Sequence, residues 1–179
     1  MFKRIAALIL VLFTLTLTGC VSPTAGLKSY VDSNDGYQFL YPNGWIPLNI
    51  ANGPDVVLHD LIEQSENVSV VISSVPQGKT LSDLGSAGEV GYELSKNAIA
   101  PPGSGRKAEL VNAEAREAGG KIYYLLEYAI ELPTQKRHNI ASVTVNRGKL
   151  YTFSASTTEN RWSKVENQFH RIIDSFSVY

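Results

Sequence analysis

His138-Asn-Ile-Ala-Ser-Val-Thr-Val-Asn-Arg-Gly-Lys-Leu-Tyr-Thr-Phe-Ser-Ala-Ser156 is the stretch that decides the fold. Two runs rich in β-branched and aromatic residues, His138 to Val145 and Leu150 to Ser156, flank Asn146-Arg-Gly-Lys149. That pattern is a tight hairpin. On the N-terminal side, Lys121 to Ile130 and Ala108 to Ala118 have the same strand character, separated by Leu-Pro-Thr-Gln and Gly-Gly. Four strands on short turns predict an antiparallel meander.

The hairpin leads into a helical pattern. Trp162, Val165, Phe169, Ile172, Ile173 and Phe176 step by three and four along one face, with Lys164, Glu166, Asn167, His170 and Arg171 mostly opposite. Thr158 or Asn160 can cap its start. Further upstream, Thr80 to Ala100 carries Leu81, Leu84, Val90, Leu94 and Ile99 near helical spacing, weakened by Gly85, Gly88 and Gly91. Pro101-Pro-Gly-Ser-Gly105 breaks the chain after it. Val68 to Val75 is β-branched nearly throughout and predicts a central strand buried on both faces. Val56 to His59 is a short apolar run, and Tyr37 to Tyr41, a Pro-Asn-Gly turn and Trp45 to Ile50 predict a second hairpin. The expected fold is α+β, an α/β/α sandwich with a central antiparallel sheet and a C-terminal amphipathic helix.

The N-terminus reads differently. Lys3 and Arg4 precede an apolar run from Ile5 to Leu17, and Leu17-Thr-Gly-Cys20 holds the only cysteine of the 179 residues. As a helix that run reaches about 20 Å, too short for ~30 Å of hydrocarbon. It has the form of an export signal ending in a lipobox, in which Cys20 receives a diacylglycerol and becomes the new N-terminus. The chain then divides into a signal at residues 1–19, a lipidated cysteine with a flexible tether of at most ~30 Å at 20–28, and one domain at 29–179. Two or three acyl chains hold a protein durably to a bilayer without embedding it.

Removing residues 1–19 takes Lys3 and Arg4 away and leaves 14 basic against 17 acidic residues. That balance excludes a nucleic-acid binder, which needs clustered cations to neutralise phosphates. With Cys20 lipidated no thiol remains, so the exported domain holds together by packing alone.

The turn Asn146–Lys149 pairs residues whose numbers sum to about 295, which sets His138 opposite Thr157 and diagonally near Glu159. A histidine and a carboxylate so placed can share a divalent ion, zinc or manganese; the plainer account is a solvated polar pair at a sheet end. His59-Asp60 with Glu63 is a second ligand set at a strand end, read as polar surface, and His170 and Arg161 are read as solvated. Gly78-Lys-Thr80 lacks the earlier glycine of a phosphate loop, because Ser73 stands there. Gly103-Ser-Gly-Arg-Lys-Ala108 matches a dinucleotide fingerprint by letter but follows two prolines rather than a strand. Asn67-Val-Ser69 is a sequon that lies in a strand. No nucleophile, base and orienting group are set together, so no enzyme is expected and no cofactor is required.

Six segments carry a family resemblance in register: Asn34-Asp-Gly-Tyr-Gln-Phe-Leu-Tyr-Pro-Asn-Gly-Trp45, Asn67-Val-Ser-Val-Val71, Thr80-Leu-Ser-Asp-Leu-Gly85, Gly148-Lys-Leu-Tyr-Thr-Phe153, Asn160-Arg-Trp162 and Asp174-Ser-Phe-Ser-Val178. The chain resembles the PsbP family of photosystem II extrinsic proteins, as a lipoprotein member. The resemblance implies a thylakoid location on the lumenal side and association with photosystem II. It also implies that His138 and Glu159 correspond to a zinc-binding pair. Plant members have an N-terminal arm tied to retaining calcium and chloride; a lipidated cysteine stands in its place here. The implied function is therefore assembly or stabilisation of photosystem II by a membrane-anchored monomer, with the loops Pro101 to Lys107 and Leu132 to Arg137 as contact candidates. The alternative is an exported protein that binds or delivers a divalent metal.

Overall fold

The computed structural model describes residues 26–179. The signal and Cys20 lie outside the described residues. Among the described residues ten strands, β1 to β10 in chain order, form two sheets. The large one has seven antiparallel strands: β3 (Ile46–Pro47), β4 (Val56–His59), β5 (Asn67–Ser74), β9 (Lys149–Thr158), β8 (Lys136–Asn146), β7 (Lys121–Glu131) and β6 (Lys107–Ala118), in that order across the sheet. A small sheet pairs β2 (Tyr37–Pro42) with β1 (Leu27–Asp32) on one side and β10 (Ser177–Val178) on the other. The α-helices of the described residues are α1 (Ala87–Leu94) and α2 (Glu159–Asp174). β1 begins at Leu27, inside the stretch read as tether, and Leu27 pairs with Pro42.

The meander is as expected, and its turns explain its register. Arg147 and Gly148 both have positive φ, 50° and 75°, the backbone that a two-residue hairpin needs to match the strand twist. The turn locks Asn146 against Lys149 and, eight pairs further along, His138 against Thr157.

Alternation along β7 then divides the core in two. Tyr123 faces one side with Ile140, Phe153, Phe169 and Ile172, beneath α2 and the small sheet. Tyr124, Leu126, Tyr128 and Ile130 face the other side, beneath α1, with Val143 and Leu81. The small sheet closes on the large one through aromatic rings, with Phe39 tilted against Phe153 at 4.4 Å between centroids and Phe153 stacked on Phe176 at 5.1 Å. Val165, Phe169, Ile172 and Ile173 form the buried stripe of α2, as their spacing requires. Thr158 is the N-cap by backbone geometry, but its side chain makes no capping bond.

Three expectations need correction. Trp45 to Ile50 does not fold back on Tyr37 to Tyr41: β3 pairs with β4, Ile46 opposite His59, while both edges of β2 are taken by β1 and β10. The anchor is Trp45, buried edge-on against Phe169 of α2, which sends the chain to the far sheet. Thr80 to Ala100 is not one helix. A 3-10 turn at Ser82–Leu84 ends at Gly85, whose φ of 124° and extended ψ no other residue adopts readily. A capping box between Ser86 and Glu89 then restarts the chain as α1, and a π-turn at Ser95–Ile99 ends it. Lastly, β5 is central but buried on one face only: Val68 and Val70 are covered, whereas Val71 is 44% exposed. α1 packs on β6 and β7 and stops short of β5.

α1 lies close to the sheet because of Gly91. A Cβ there would stand 2.9 Å from both terminal methyls of Leu110 and 3.1 Å from one of Leu126. The Gly91 carbonyl also accepts a hydrogen bond from the buried Tyr128 hydroxyl at 3.0 Å. Gly91→Leu is expected to lift α1, break that bond and lower stability by ~1–3 kcal/mol, read as a shift of the urea midpoint. Gly91→Ala should do much less, since two flexible leucine ends can yield and alanine favours the helix by ~1 kcal/mol.

Candidate functional site

The hairpin carries His138 on the face covered by α2, and α2 begins directly after β9. This brings Glu159, its first residue, to within 3.1 Å of His138, Oε2 to Nδ1. The predicted pair therefore meets. The structure adds a third group, Glu127 of β7, whose Oε1 lies 2.7 Å from His138 Nε2. Trp162, one turn into α2, stacks on the imidazole with ring centroids 3.9 Å apart and planes 10° apart. The histidine side chain is only 8% exposed, Glu127 19% and Glu159 44%. The site is thus a buried ring with one carboxylate inside and one at the water boundary.

Its chemistry follows from counting protons. A neutral imidazole has one N–H. Donated from Nε2 to Glu127, it leaves the Nδ1 lone pair facing an oxygen of Glu159, two acceptors 3.1 Å apart. A proton or a cation between them resolves that clash. Zinc bonds of ~2.0–2.2 Å to nitrogen and oxygen span such a separation, and a carboxylate on the far ring nitrogen is the usual support of a ligating histidine. The residues fit a divalent ion held by two protein ligands and completed by water, not a closed four-ligand structural site. Beside His138, the buried Thr157 Oγ1 has no hydrogen-bond partner among the described residues.

The second set does not assemble. Asp60 Oδ1 accepts the backbone N–H groups of Glu63 and Ile62, at 2.6 and 2.8 Å, and these bonds hold its carboxyl below the usual range. Glu63 accepts from the Ser65 hydroxyl and faces Arg161 at 3.5 Å, and His59 Nδ1 contacts the Asp60 carbonyl. Asp60 builds a rigid turn instead, and this turn thrusts Leu61 and Ile62 outward, 60% and 94% exposed. Asp32, Asp35 and Asp55 also converge, but each is engaged: by the Asn34 and Asp35 backbone N–H groups, by Lys149 at 2.7 Å, and by the Tyr37 hydroxyl. Burial and the Asp55 carboxylate push the Tyr37 phenol up.

Arg161, read as solvated, and Arg137, at the end of the contact-candidate loop Leu132 to Arg137, are both structural. Arg161 donates from Nε to the nearly buried Glu66 at 2.5 Å, and that bond raises its pKa. Arg137 spans from Ser156 Oγ to the Ser65 carbonyl, at 2.9 and 2.7 Å, and burial lowers its pKa. It ties β8 to the loop before β5, so the Lys136-Arg137 pair is not a free basic patch. Lys136 itself bridges to Glu131 at 3.1 Å. His170 sits half-buried beside Trp162.

A sheet of seven antiparallel strands with this helix placement and this end-of-sheet site defines a class, and the comparisons agree. The PsbP family model matches residues 25–178, and the chain belongs to the PsbP family. Among its relatives is CyanoP of Thermosynechococcus vestitus, 50% identical with all of both chains covered. CyanoP of Synechocystis is also 50% identical, covering 96% of this chain and 93% of the relative. The solution structure of Synechocystis CyanoP, at 49% identity, superposes with a TM-score of 0.75 and covers 93% of this chain and 99% of that one.

Proposed function

We propose that this protein is a lipid-anchored accessory protein on the lumenal side of the thylakoid membrane that binds photosystem II and assists its assembly or stability, without catalysis. Membership of the PsbP family over nearly the whole described chain is the observation that carries it. Among the described residues no helix is long and apolar enough to cross a membrane, so a fastening at Cys20 would be what keeps the domain at the bilayer. The surface best suited to a large partner is the β3–β4 edge, where Leu48, Ile50, Leu61 and Ile62 are all exposed and the last two sit on a turn stiffened by Asp60. In thylakoids solubilised with mild detergent and run on native gels, the protein should migrate with photosystem II complexes, early ones for an assembly role. Ile62→Asp, at a site with almost no packing to lose, should reduce that co-migration while leaving the melting temperature unchanged. Migration apart from every photosystem II complex ends this reading.

A carboxylate oxygen on each ring nitrogen of His138 supports a second reading, an exported protein that binds or delivers a divalent metal. Calorimetric titration with zinc should then show one site that His138→Ala removes and Glu127→Gln weakens roughly 10–100-fold by loosening the ring. An unchanged isotherm in His138→Ala excludes it.

A further inference from the structure

The face of the sheet beneath α1 is only half covered. Between the end of that helix and β5 lies a concavity of about 310 Å³, in the size range of small-ligand pockets, ~300–1,000 Å³. Its apolar wall is built from both layers: Leu94 and Ile99 descend from the helix, and Tyr128, Ala141 and Leu150 rise from the sheet. The Tyr128 hydroxyl is already committed to Gly91, so the ring presents carbon. On the β5 side the lining changes to Ser73, Asn139, Thr152 and Ser154. No charged residue lines it. This separates it from the concavity beside Glu159, walled by Lys107, Glu109, Glu131, Lys136 and Arg137, and from that beside Gly148, walled by Lys79, Lys121 and Arg147.

The helical wall is irregular in a telling way. After Leu94 the chain widens into a π-turn, closed by the Ala100 N–H on the Ser95 carbonyl at 2.9 Å, five residues back. Such turns are rare, carry a backbone cost, and concentrate at functional sites. Here the π-turn sets Ala98 and Ile99 at the mouth of the concavity.

We infer that this concavity binds an uncharged amphiphile, with its hydrocarbon arm against Leu94, Ile99 and Leu150 and a neutral hydroxyl or ester end over Thr152, Ser154 and Asn139. Absence of charge in the lining selects the class. A carboxylate or ammonium drawn into it would lose water and gain no opposite charge. An ester or hydroxyl would exchange water for serine, threonine and asparagine groups.

The test uses three ligands with one eight-carbon arm and different heads: 1-monooctanoylglycerol, octanoate and octyltrimethylammonium. Each is titrated into the full chain held in phosphatidylcholine nanodiscs, and methyl resonances of Leu94, Ile99 and Leu150 are followed by NMR. Octanoylglycerol, with roughly 15 non-hydrogen atoms, should give saturable shifts with a Kd of roughly 0.1–1 mM. The two charged ligands should bind at least tenfold more weakly. Ala98→Phe from the helix side and Val71→Trp from the sheet side both start at exposed positions and both fill the mouth. Either should abolish the shifts while the other methyl resonances report an intact fold. Non-saturable shifts, equal affinity for all three heads, or retained binding in a folded blocking variant would each overturn the assignment.

Discussion

Phe153→Ala should remove ~3–5 kcal/mol, a large part of the ~5–15 kcal/mol that holds a domain of this size together. Phe153 is fully buried on β9, where the large sheet, the small sheet and the segment after α2 meet. It touches Phe39 of the small sheet and Phe176 of the segment after α2, and its cross-strand neighbour is Val70. Deleting the ring leaves a cavity bounded by three elements that cannot all move inward at once, so little of the loss is recovered by relaxation. At a denaturant slope of ~2 kcal/mol/M the urea midpoint falls by about 2 M. Val71→Ala is the matched control one residue along from Val70, on the open face of β5. It should change stability by less than about 0.5 kcal/mol. Equal effects in the two variants would mean that the small sheet does not close over this face.

Cys20→Ala should move the protein from the membrane fraction to the soluble fraction, an all-or-none change. In the proposed anchoring Cys20, the single thiol of the sequence, takes the diacylglycerol, and each buried methylene would contribute ~0.8 kcal/mol to membrane attachment. With both chains of the diacylglycerol absent, no helix among the described residues is long and apolar enough to replace them by crossing the bilayer. Mass spectrometry of the native chain should show the lipid on the processed N-terminal cysteine. A bare cysteine, or a Cys20→Ala protein that still sediments with membranes, would remove the anchor from the functional reading.

Legibility in the sequence followed the length of the connections. The Asn146–Lys149 turn leaves no freedom of register, so His138, Thr157 and Glu159 could be set together by arithmetic alone. Glu127 was within reach of the same reasoning: β7 and β8 pair Ala129 with His138, which puts Glu127 on the histidine's face two residues away. The looser link Leu132–Gln135 hides that register, and a strand glutamate looks like ordinary solvated charge. The roles of Arg137 and Arg161 had no signal, because their partners Ser65 and Glu66 lie 72 and 95 residues away. β1 was missed for a related reason. Its six residues, three half-buried and three exposed, show little periodicity until β2 pairs with them.

What the chain determined by itself was therefore local: the meander, the face of α2 and the meeting of His138 with Glu159. Each rests on periodicity or a two-residue turn, and both act between neighbours. The tertiary structure decided what depends on distant parts competing for one surface. It gave β2 to the small sheet rather than to Trp45–Ile50, and it set Glu127 on the free nitrogen of His138. It also left the Val71 face of β5 uncovered, because α1 turns through a π-bulge before reaching it, and burial of that kind is settled only when every layer has found its place.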